Sequence, residues 1–217
     1  MTQSSCNRCG TCCKNGGPAL HRDDIRLVTD GLIPLSSLIV IRRGELVHHP
    51  VADRLIATPH ELVKVRGAGR SWTCLYYDGE RTGCTIYDTR PQACRLLKCW
   101  DTGDIERLID QGGVGRLDLI APDNPVRSAI VEHEELFPCP DLELLIETGG
   151  TDDPLPFEEA ANREIAYRTA EVRRHELTLH EELFYFGRPL FQLLSSVGAT
   201  IRESGGTLRI RWPGLGD

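Results

Sequence analysis

The sequence lacks the features that would place it in a membrane or outside the cell. No apolar run among its 217 residues approaches the roughly 18 residues of a membrane span. The N-terminal stretch has no basic region followed by an apolar core, so we expect no signal peptide. We therefore expect a cytoplasmic protein in a reducing compartment, with no membrane association. In that compartment metal ligation or thiol chemistry explains the nine cysteines better than disulfide bonds do.

Common catalytic and nucleotide-binding patterns are also missing. We see no phosphate-binding loop and no Ser/His/Asp arrangement, and the seven histidines are scattered. The glycine-rich segment 111–115 leads into a strand pattern at 117–120. This is the reverse of the order in a Rossmann-like site, so we predict a surface turn. For the run Glu132-His133-Glu134-Glu135 we predict an exposed acidic segment.

Positive charge is scarce in the second half of the chain. Residues 1–100 carry 14 Lys and Arg against 9 Asp and Glu, a net charge of +5. Residues 101–217 carry 11 against 23, a net charge of −12, and the two halves sum to −7. Non-specific nucleic-acid binding needs a basic surface, so we expect no nucleic-acid partner. If the protein has an unknown protein partner, we expect the acidic second half to offer the surface.

The sequence is rich in cysteine, and eight of the nine cysteines fall in two blocks. Buried structural cysteines scatter along a chain like other small apolar residues. Thiols at two-residue gaps are instead typical of a backbone that wraps a soft metal ion or an iron–sulfur cluster. The candidate metal ligands are Cys6, Cys9, Cys12 and Cys13 in the first block and Cys74, Cys84, Cys94 and Cys99 in the second.

Some of these cysteines fit a metal site better than others. Adjacent cysteines rarely bind one ion, so we expect one of Cys12 and Cys13 to be a ligand and the other to serve a second site or the core. A helix that begins near Pro91 would place Cys94 where the helix dipole favours a thiolate. Cys99 lies off the helical face that carries Cys94, and whether it is a ligand is left open. The ninth cysteine is isolated in the sequence, so we interpret it as a buried thiol.

Five basic residues lie within a few positions of a cysteine. A zinc ion or a [4Fe–4S]²⁺ cluster held by four thiolates carries a formal charge of about −2. Nearby cations would lower the thiol pKa values and offset that charge. The alternative is that they are solvated surface charges. These residues are Arg8, Lys14, Arg90, Arg95 and Lys98.

The patterns predict an α+β fold. We expect a small, irregular, cysteine-rich half with short hairpins and helices (residues 1–103), then an acidic, mainly helical part that ends in a strand (104–217). Whether the two pack as one unit is left open. The predicted helices are 21–30, one that begins at Pro91, 158–186, and one from Leu190 to Gly205-Gly206. The predicted strands are 39–41 and 46–48 as a hairpin, 62–65, 72–77, 84–87, 117–120, 142–146 and 207–212.

The two cysteine blocks form one combined pattern. The first contains CNRCGTCC and the second contains CLYYDGERTGCTIYDTRPQACR. Together they resemble the CxxCxxCC cysteine-cluster family, often called YkgJ-like, whose hallmark is CxxCGxCC followed by C…C-x-IY-x-x-RP-x-x-CR. The resemblance covers residues 6–100. It implies zinc or iron binding, with an iron–sulfur cluster favoured, and a related branch includes flagellin lysine-N-methylases.

Three functional hypotheses follow. The first is a protein that binds a metal or cluster for stability, carriage or sensing. The second is an iron–sulfur enzyme such as a lysine-N-methylase-like methyltransferase, although no catalytic constellation is visible. The third is a zinc-stabilised protein-interaction module. Eight thiols exceed the need of one structural zinc and favour a cluster, which the resemblance implies to be [4Fe–4S], but two zinc sites would also use all eight.

Overall fold

The computed structural model of the protein describes residues 3–69, 71–109 and 111–212. These ranges contain helices and short strand pairs, so the predicted α+β class is confirmed. The helices are α1 (Thr11–Lys14), α2 (Ile25–Thr29), α3 (Gln92–Leu96), α4 (Gly103–Leu108), α5 (Arg116–Leu119), α6 (Arg127–Leu136), α7 (Leu142–Glu147), α8 (Leu155–His175), α9 (Leu179–Phe186) and α10 (Leu190–Ser196). The strands are β1 (Leu38–Ile41), β2 (Leu46–His49), β3 (Arg54–Ala57), β4 (Leu62–Val65), β5 (Tyr77–Asp78), β6 (Gly83–Cys84), β7 (Thr200–Ser204) and β8 (Thr207–Arg211).

The described residues fall into two compact units. The first contains residues between 1 and 40 and between 61 and 121, and includes both cysteine blocks. The second contains residues between 41 and 60 and between 122 and 217. The sequential division at residues 103/104 stays a prediction.

Strand β4 organises the first unit. The amide of Leu20 donates to the carbonyl of Val63 at 2.8 Å, and the amide of Val65 donates to the carbonyl of Pro18 at 2.9 Å. A β-carbon on Gly17 would lie 2.2 Å from the Val65 carbonyl oxygen, so this close approach requires glycine. The chain that follows the first cysteine block is therefore fixed along β4. The fully buried apolar side chains here are Leu20, Ile33, Leu38, Val40, Val63 and Val65.

The predicted pairing of strands 39–41 and 46–48 is wrong. Strand β1 pairs with β4, whereas β2 pairs antiparallel with β3. A turn does follow β1, and there the amide of Glu45 donates to the carbonyl of Arg42 at 3.1 Å. The turn does not return the chain onto β1, because the amide of Gly44 donates to the carbonyl of Thr58 at 2.9 Å. Strand β3 was missed because its exposed residues follow Asp53 without an alternating apolar pattern.

Two segments predicted as strands are helices, and side-chain caps explain both. The Asp141 carboxylate accepts from the amide of Leu144 at 2.9 Å at the start of α7. The Asp118 carboxylate accepts from the amide of Gly115 at 2.9 Å at the start of α5. Each bond satisfies an amide near the helix start that has no partner within the helix. The glycine-rich turn before α5 therefore lies between helices α4 and α5, with no described strand directly before it.

The long helix predicted over 158–186 is two helices. Glu176 adopts a left-handed conformation (φ 52°) and ends α8. Thr178 and Glu181 then form a capping box that begins α9. The sequence carried this signal as Thr178-Leu179-His180-Glu181, but the apolar period continued across it. The helix that begins at Leu190 likewise ends early, at Ser196, and the chain continues as β7 and β8.

Helices α7, α8 and α10 pack with the β7–β8 hairpin to form the core of the second unit. Gly150 allows the chain to pass Trp212, because a β-carbon there would lie 2.2 Å from the indole ring. The Glu158 carboxylate on α8 accepts from the amide of Ile210 at 2.8 Å and so ties the hairpin to the helix. The core side chains include Phe137, Leu142, Leu145, Ala161, Leu190, Leu193, Leu194, Ile210 and Trp212.

The segment predicted to be exposed and acidic contains a fully buried histidine. His133 lies among the rings of Phe137, Tyr167 and Phe186, and its Nε2 is 3.0 Å from the Glu164 carboxylate. Burial lowers the pKa of His133, against the opposing effect of Glu164. The pKa of Glu164 is also lowered: although burial raises it, the hydrogen bond from His133 and the charge of Arg168 outweigh that effect. The folded state therefore favours neutral His133 beside charged Glu164.

We predict that the second unit loses stability as the pH falls from about 7.5 to about 5.5. Since the pKa of folded His133 lies below its ordinary value, the unfolded chain takes up the proton first. The resulting stabilisation of the folded state is complete above about pH 6.5, the pKa of histidine in the unfolded chain. It is lost as the pH falls from there towards the pKa of folded His133, by at most about 1.4 kcal/mol per pH unit. Urea unfolding at the two pH values measures this slope.

The matched control is His133→Gln, which keeps a hydrogen-bond donor towards Glu164 but does not titrate. Its unfolding free energy should depend less on pH than that of the unsubstituted protein. Burial raises the pKa of Glu45, but this group titrates in both proteins and cancels in the comparison. Equal slopes in the two proteins would contradict the prediction.

Candidate metal centre

The first cysteine block folds around a single short turn of helix. Gly10, with φ of 78°, precedes α1, and the amide of Lys14 donates to its carbonyl at 2.9 Å. This turn carries Cys12 and Cys13, whose sulfur atoms are 4.0 Å apart. The neighbouring thiols therefore project from one helical turn, and the rest of the block lies outside that turn.

The second block contains a much shorter hairpin than the predicted strands 72–77 and 84–87. Only β5 and β6 pair, in the register Tyr77↔Cys84. Asp78 closes the loop, since its carboxylate accepts from the amides of Glu80 and Arg81 at 2.9 and 3.1 Å. The hairpin places Cys84 beside the residues that follow Cys74. The third thiol, Cys94, lies on α3, which begins directly after Pro91 as predicted.

Backbone and aromatic contacts join the two blocks. The amide of Cys74 donates to the carbonyl of Cys13 at 2.7 Å. Gly10 lies against the ring of Tyr77, and a β-carbon there would be 2.3 Å from the ring atoms. Both contacts are made by the polypeptide itself. Sequence reasoning missed both contacts, although the glycine in the CxxCGxCC pattern was a signal for a close approach.

Five of the eight candidate ligands form one group of interacting thiols. Burial raises the pKa of Cys94 to about 12, and the negative charges that its neighbours acquire on ionisation add to the rise. The pKa of Cys13 is raised to about 12 and that of Cys74 is also raised, in both cases first by burial and then by nearby thiols. The members of this inner group are Cys12, Cys13, Cys74, Cys84 and Cys94.

The surroundings of Cys94 oppose the thiolate that its place near the start of a helix was expected to favour. Cys94 lies on the five-residue helix α3, and burial of the thiol raises its pKa. Burial also raises the pKa of Cys139 in the second unit to about 12. A raised thiol pKa is therefore not in itself a signature of a metal site. The grouping of five thiols is the distinguishing feature.

The other three candidate ligands are exposed and contact groups other than thiols. The sulfur of Cys6 accepts from the amide of Arg8 at 3.3 Å. The sulfur of Cys9 is 3.3 Å from the Thr11 hydroxyl, and hydrogen bonds from Thr11 lower its pKa. The sulfur of Cys99 is 3.9 Å from the Gln3 amide nitrogen. The structure thus separates an inner group of five thiols from an outer group of three.

The basic residues near the cysteines divide into two kinds. Arg95 lies 3.8 Å from the buried Asp24 carboxylate, and Lys98 lies 2.5 Å from Asp104. Both are therefore engaged by carboxylates. The remaining three lie over aromatic rings, Arg8 and Arg90 over Tyr87 and Lys14 over Tyr77.

The donor chemistry of the inner group suits a thiophilic metal. Across residues 3–69, 71–109 and 111–212, no three His, Cys, Asp or Glu side chains stand where they could hold one ion. The five inner thiols are nevertheless near enough that their charges raise the pKa values of Cys13, Cys74 and Cys94, and sulfur is the donor that zinc and iron–sulfur clusters prefer. A zinc ion or a cluster therefore fits this donor set, with the inner thiols as the residues that would hold it.

The comparisons with known proteins agree with this chemistry. Residues 5–111 match the model of a family named CxxCxxCC, which is described as a "putative zinc- or iron-chelating domain". No curated protein and no solved structure matches the chain. Within the described ranges, no helix is both long and apolar enough to cross a membrane.

We predict that Gly10→Ala loosens the contact between the two cysteine blocks. The new methyl group would displace the ring of Tyr77 and would also strain a left-handed backbone, at a cost of about 1–2 kcal/mol for the strain alone. Gly31→Ala is the matched control, because Gly31 has φ of 77° and nothing within 4 Å of its β-carbon position. The midpoint temperature of thermal unfolding and the bound-metal content should both fall further for Gly10→Ala than for Gly31→Ala. Equal losses in the two variants would contradict the prediction.

Proposed function

We propose that this protein binds one metal centre, held by thiolates from its two cysteine blocks. The proposal starts from the match of residues 5–111 to the CxxCxxCC family. We favour an iron–sulfur cluster, [4Fe–4S], over zinc. The observation that carries the proposal is the 2.7 Å hydrogen bond from the Cys74 amide to the Cys13 carbonyl, which joins two blocks whose thiols also raise one another's pKa values. When bound, such a centre supplies either electron-transfer chemistry or a structural cross-link.

The chain's own contribution is to assemble and shield the ligands. The hydrogen bond from Cys74 to Cys13 sets the two blocks in register before any ion arrives. Cys74 is buried and Cys13, Cys84 and Cys94 are half-buried, whereas Cys12 is exposed, so four of the five inner thiols are at least partly shielded from water. Burial raises the pKa of several of these thiols, so binding of a metal must release their protons.

All eight clustered cysteines are proposed as ligands, with different roles for the two groups. The inner five are the donors already together. Cys6, Cys9 and Cys99 are exposed, and they would complete a cluster or serve a second zinc ion. The spacing of Cys12 and Cys13 on one turn suits one ligand each to two different metal atoms better than two ligands to one. Eight thiols exceed the four that one structural zinc or one [4Fe–4S] cluster needs, so the spacing alone does not separate the two, and our preference for a cluster rests on the resemblance to the CxxCxxCC family.

We also propose a cytoplasmic location and a protein partner. The number of free thiols suits a reducing, cytoplasmic environment. The net charge of −12 on residues 101–217 suits a protein partner with a basic surface. We propose binding or sensing as the role of the centre. The glycine-rich turn before α5 lends no support to a methyltransferase, because it lies between helices α4 and α5 and a Rossmann-like methyl-donor site would follow a strand.

We predict that Cys74→Ser and Cys84→Ser each lower the metal content of the protein and its yield in soluble form. Loss of one thiolate weakens the centre, and the centre contributes to folding. Cys139→Ser is the control, because that thiol is half-buried in the second unit, against Gly44. Iron, zinc and acid-labile sulfide are measured per chain after anaerobic purification.

An iron–sulfur protein would be brown and contain sulfide, whereas a zinc protein would be colourless and contain none. We expect Cys84→Ser to lose iron and sulfide together, and Cys139→Ser to retain both. A Cys84→Ser variant with full metal content and stability would remove that residue from the ligand set. An unsubstituted protein that binds neither metal would refute the proposed function.

A further inference from the structure

The ring of Tyr87 holds two guanidinium groups. The guanidinium carbon of Arg90 is 3.8 Å from the ring centroid, and that of Arg8 is 4.0 Å from it. Repulsion between two cations favours one on each face of the ring. Arg90 comes from the same turn as Tyr87 and donates to its backbone carbonyl at 2.9 Å. Arg8 comes from the first cysteine block, so this stack is a long-range contact between the two blocks.

Stacking is the interaction that fixes the Arg8 side chain. In the part of the chain that the structure describes, Arg8 has no carboxylate partner, whereas Arg95 and Lys98 each have one. Guanidinium groups stack well on aromatic faces because they are planar and weakly hydrated. A cation held this way at an exposed site stabilises the contact by about 0.5–1 kcal/mol.

The backbone at Arg8 shows what the stack controls. Arg8 adopts a left-handed conformation, with φ of 56°, which is strained for a residue with a side chain. Its amide donates to the sulfur of Cys6 at 3.3 Å, and the next residue is Cys9. The orientation of Arg8 therefore sets the path of the chain between the two outer thiols.

We propose that Tyr87 is a positioning residue that clasps Arg8 and so presents Cys6 and Cys9 to the metal centre before a metal binds. The consequence for metal binding rests on the proposed function, but the clasp itself does not. Without the stack, the strained turn at Arg8 would relax and the two exposed thiols would lose their fixed positions. The ring face, and not the phenolic hydroxyl, provides the contact.

The test is trypsin cleavage of the metal-free, full-length protein. Trypsin must extract the Arg8 side chain, so the stack should protect the bond that follows it. We expect Tyr87→Leu to speed cleavage after Arg8 by about two- to fivefold, the factor that corresponds to one exposed cation–π contact. Tyr87→Phe keeps the ring face and should cleave at the rate of the unsubstituted protein. Cleavage after Arg54, in the second unit, reports general unfolding.

The outcomes separate the clasp from ordinary packing. The proposal is overturned if Tyr87→Leu leaves the rate of cleavage after Arg8 unchanged. It is also overturned if this rate rises equally in Tyr87→Phe and Tyr87→Leu. If Tyr87→Leu also speeds cleavage after Arg54, Arg8→Gln replaces it, since Arg8 is exposed and its removal spares the core. Amide hydrogen exchange of residues 5–16 in that metal-free variant should then be faster, and unchanged exchange would overturn the clasp.

The metal readout tests the consequence for the outer thiols. We expect Tyr87→Leu and Arg8→Gln to release zinc to a chelator about two- to fivefold faster, with Tyr87→Phe unchanged. Equal release rates in all four proteins would overturn the role in metal positioning. If the unsubstituted protein binds no metal, the proposed function fails, whereas cleavage of the metal-free chain still decides whether the clasp exists.

Discussion

The hydrogen bond from the amide of Cys74 to the carbonyl of Cys13 is the contact on which the site depends. The thiols that we propose as ligands of one centre are separated in the chain by residues 14–73, so the backbone must return with the right register. Two close approaches help to set that register, Gly17 against β4 and Gly10 against Tyr77. Both positions exclude a side chain, which explains why glycine occupies position 10 within the first cysteine block and position 17 after it. The polypeptide thus specifies the site, and a metal would complete it.

Burial gives the site its pH and metal dependence. Burial and neighbouring thiols raise the pKa values of Cys13 and Cys94 to about 12, which favours their protonated forms. A metal must displace those protons, and the free energy of binding is therefore coupled to folding. Charge compensation is divided between pairs and stacks. Arg95 and Lys98 are paired with aspartates, whereas Arg8 is stacked on the ring of Tyr87.

The sequence predicted chemistry better than topology. The spacing of the cysteines identified the two blocks, and the pattern around Pro91 predicted α3, because thiol spacing and helix starts are local signals. Pairing of strands is not local, so the partner of β1 was missed. The helical state of 142–147 was also missed, since one cap at Asp141 decided it against an apolar run typical of a strand. Contacts such as Arg8 on Tyr87 leave no periodic pattern, and only the folded chain reveals them.

The central claim is that one centre takes thiolates from both cysteine blocks. Cadmium-113 NMR of the reconstituted protein tests it most directly, because scalar coupling to cysteine β-protons identifies the ligands of each bound ion. We expect at least one cadmium resonance coupled to protons of Cys12 or Cys13 and also to protons of Cys74, Cys84 or Cys94. Cadmium ions that are each coupled only to cysteines of a single block would contradict the account.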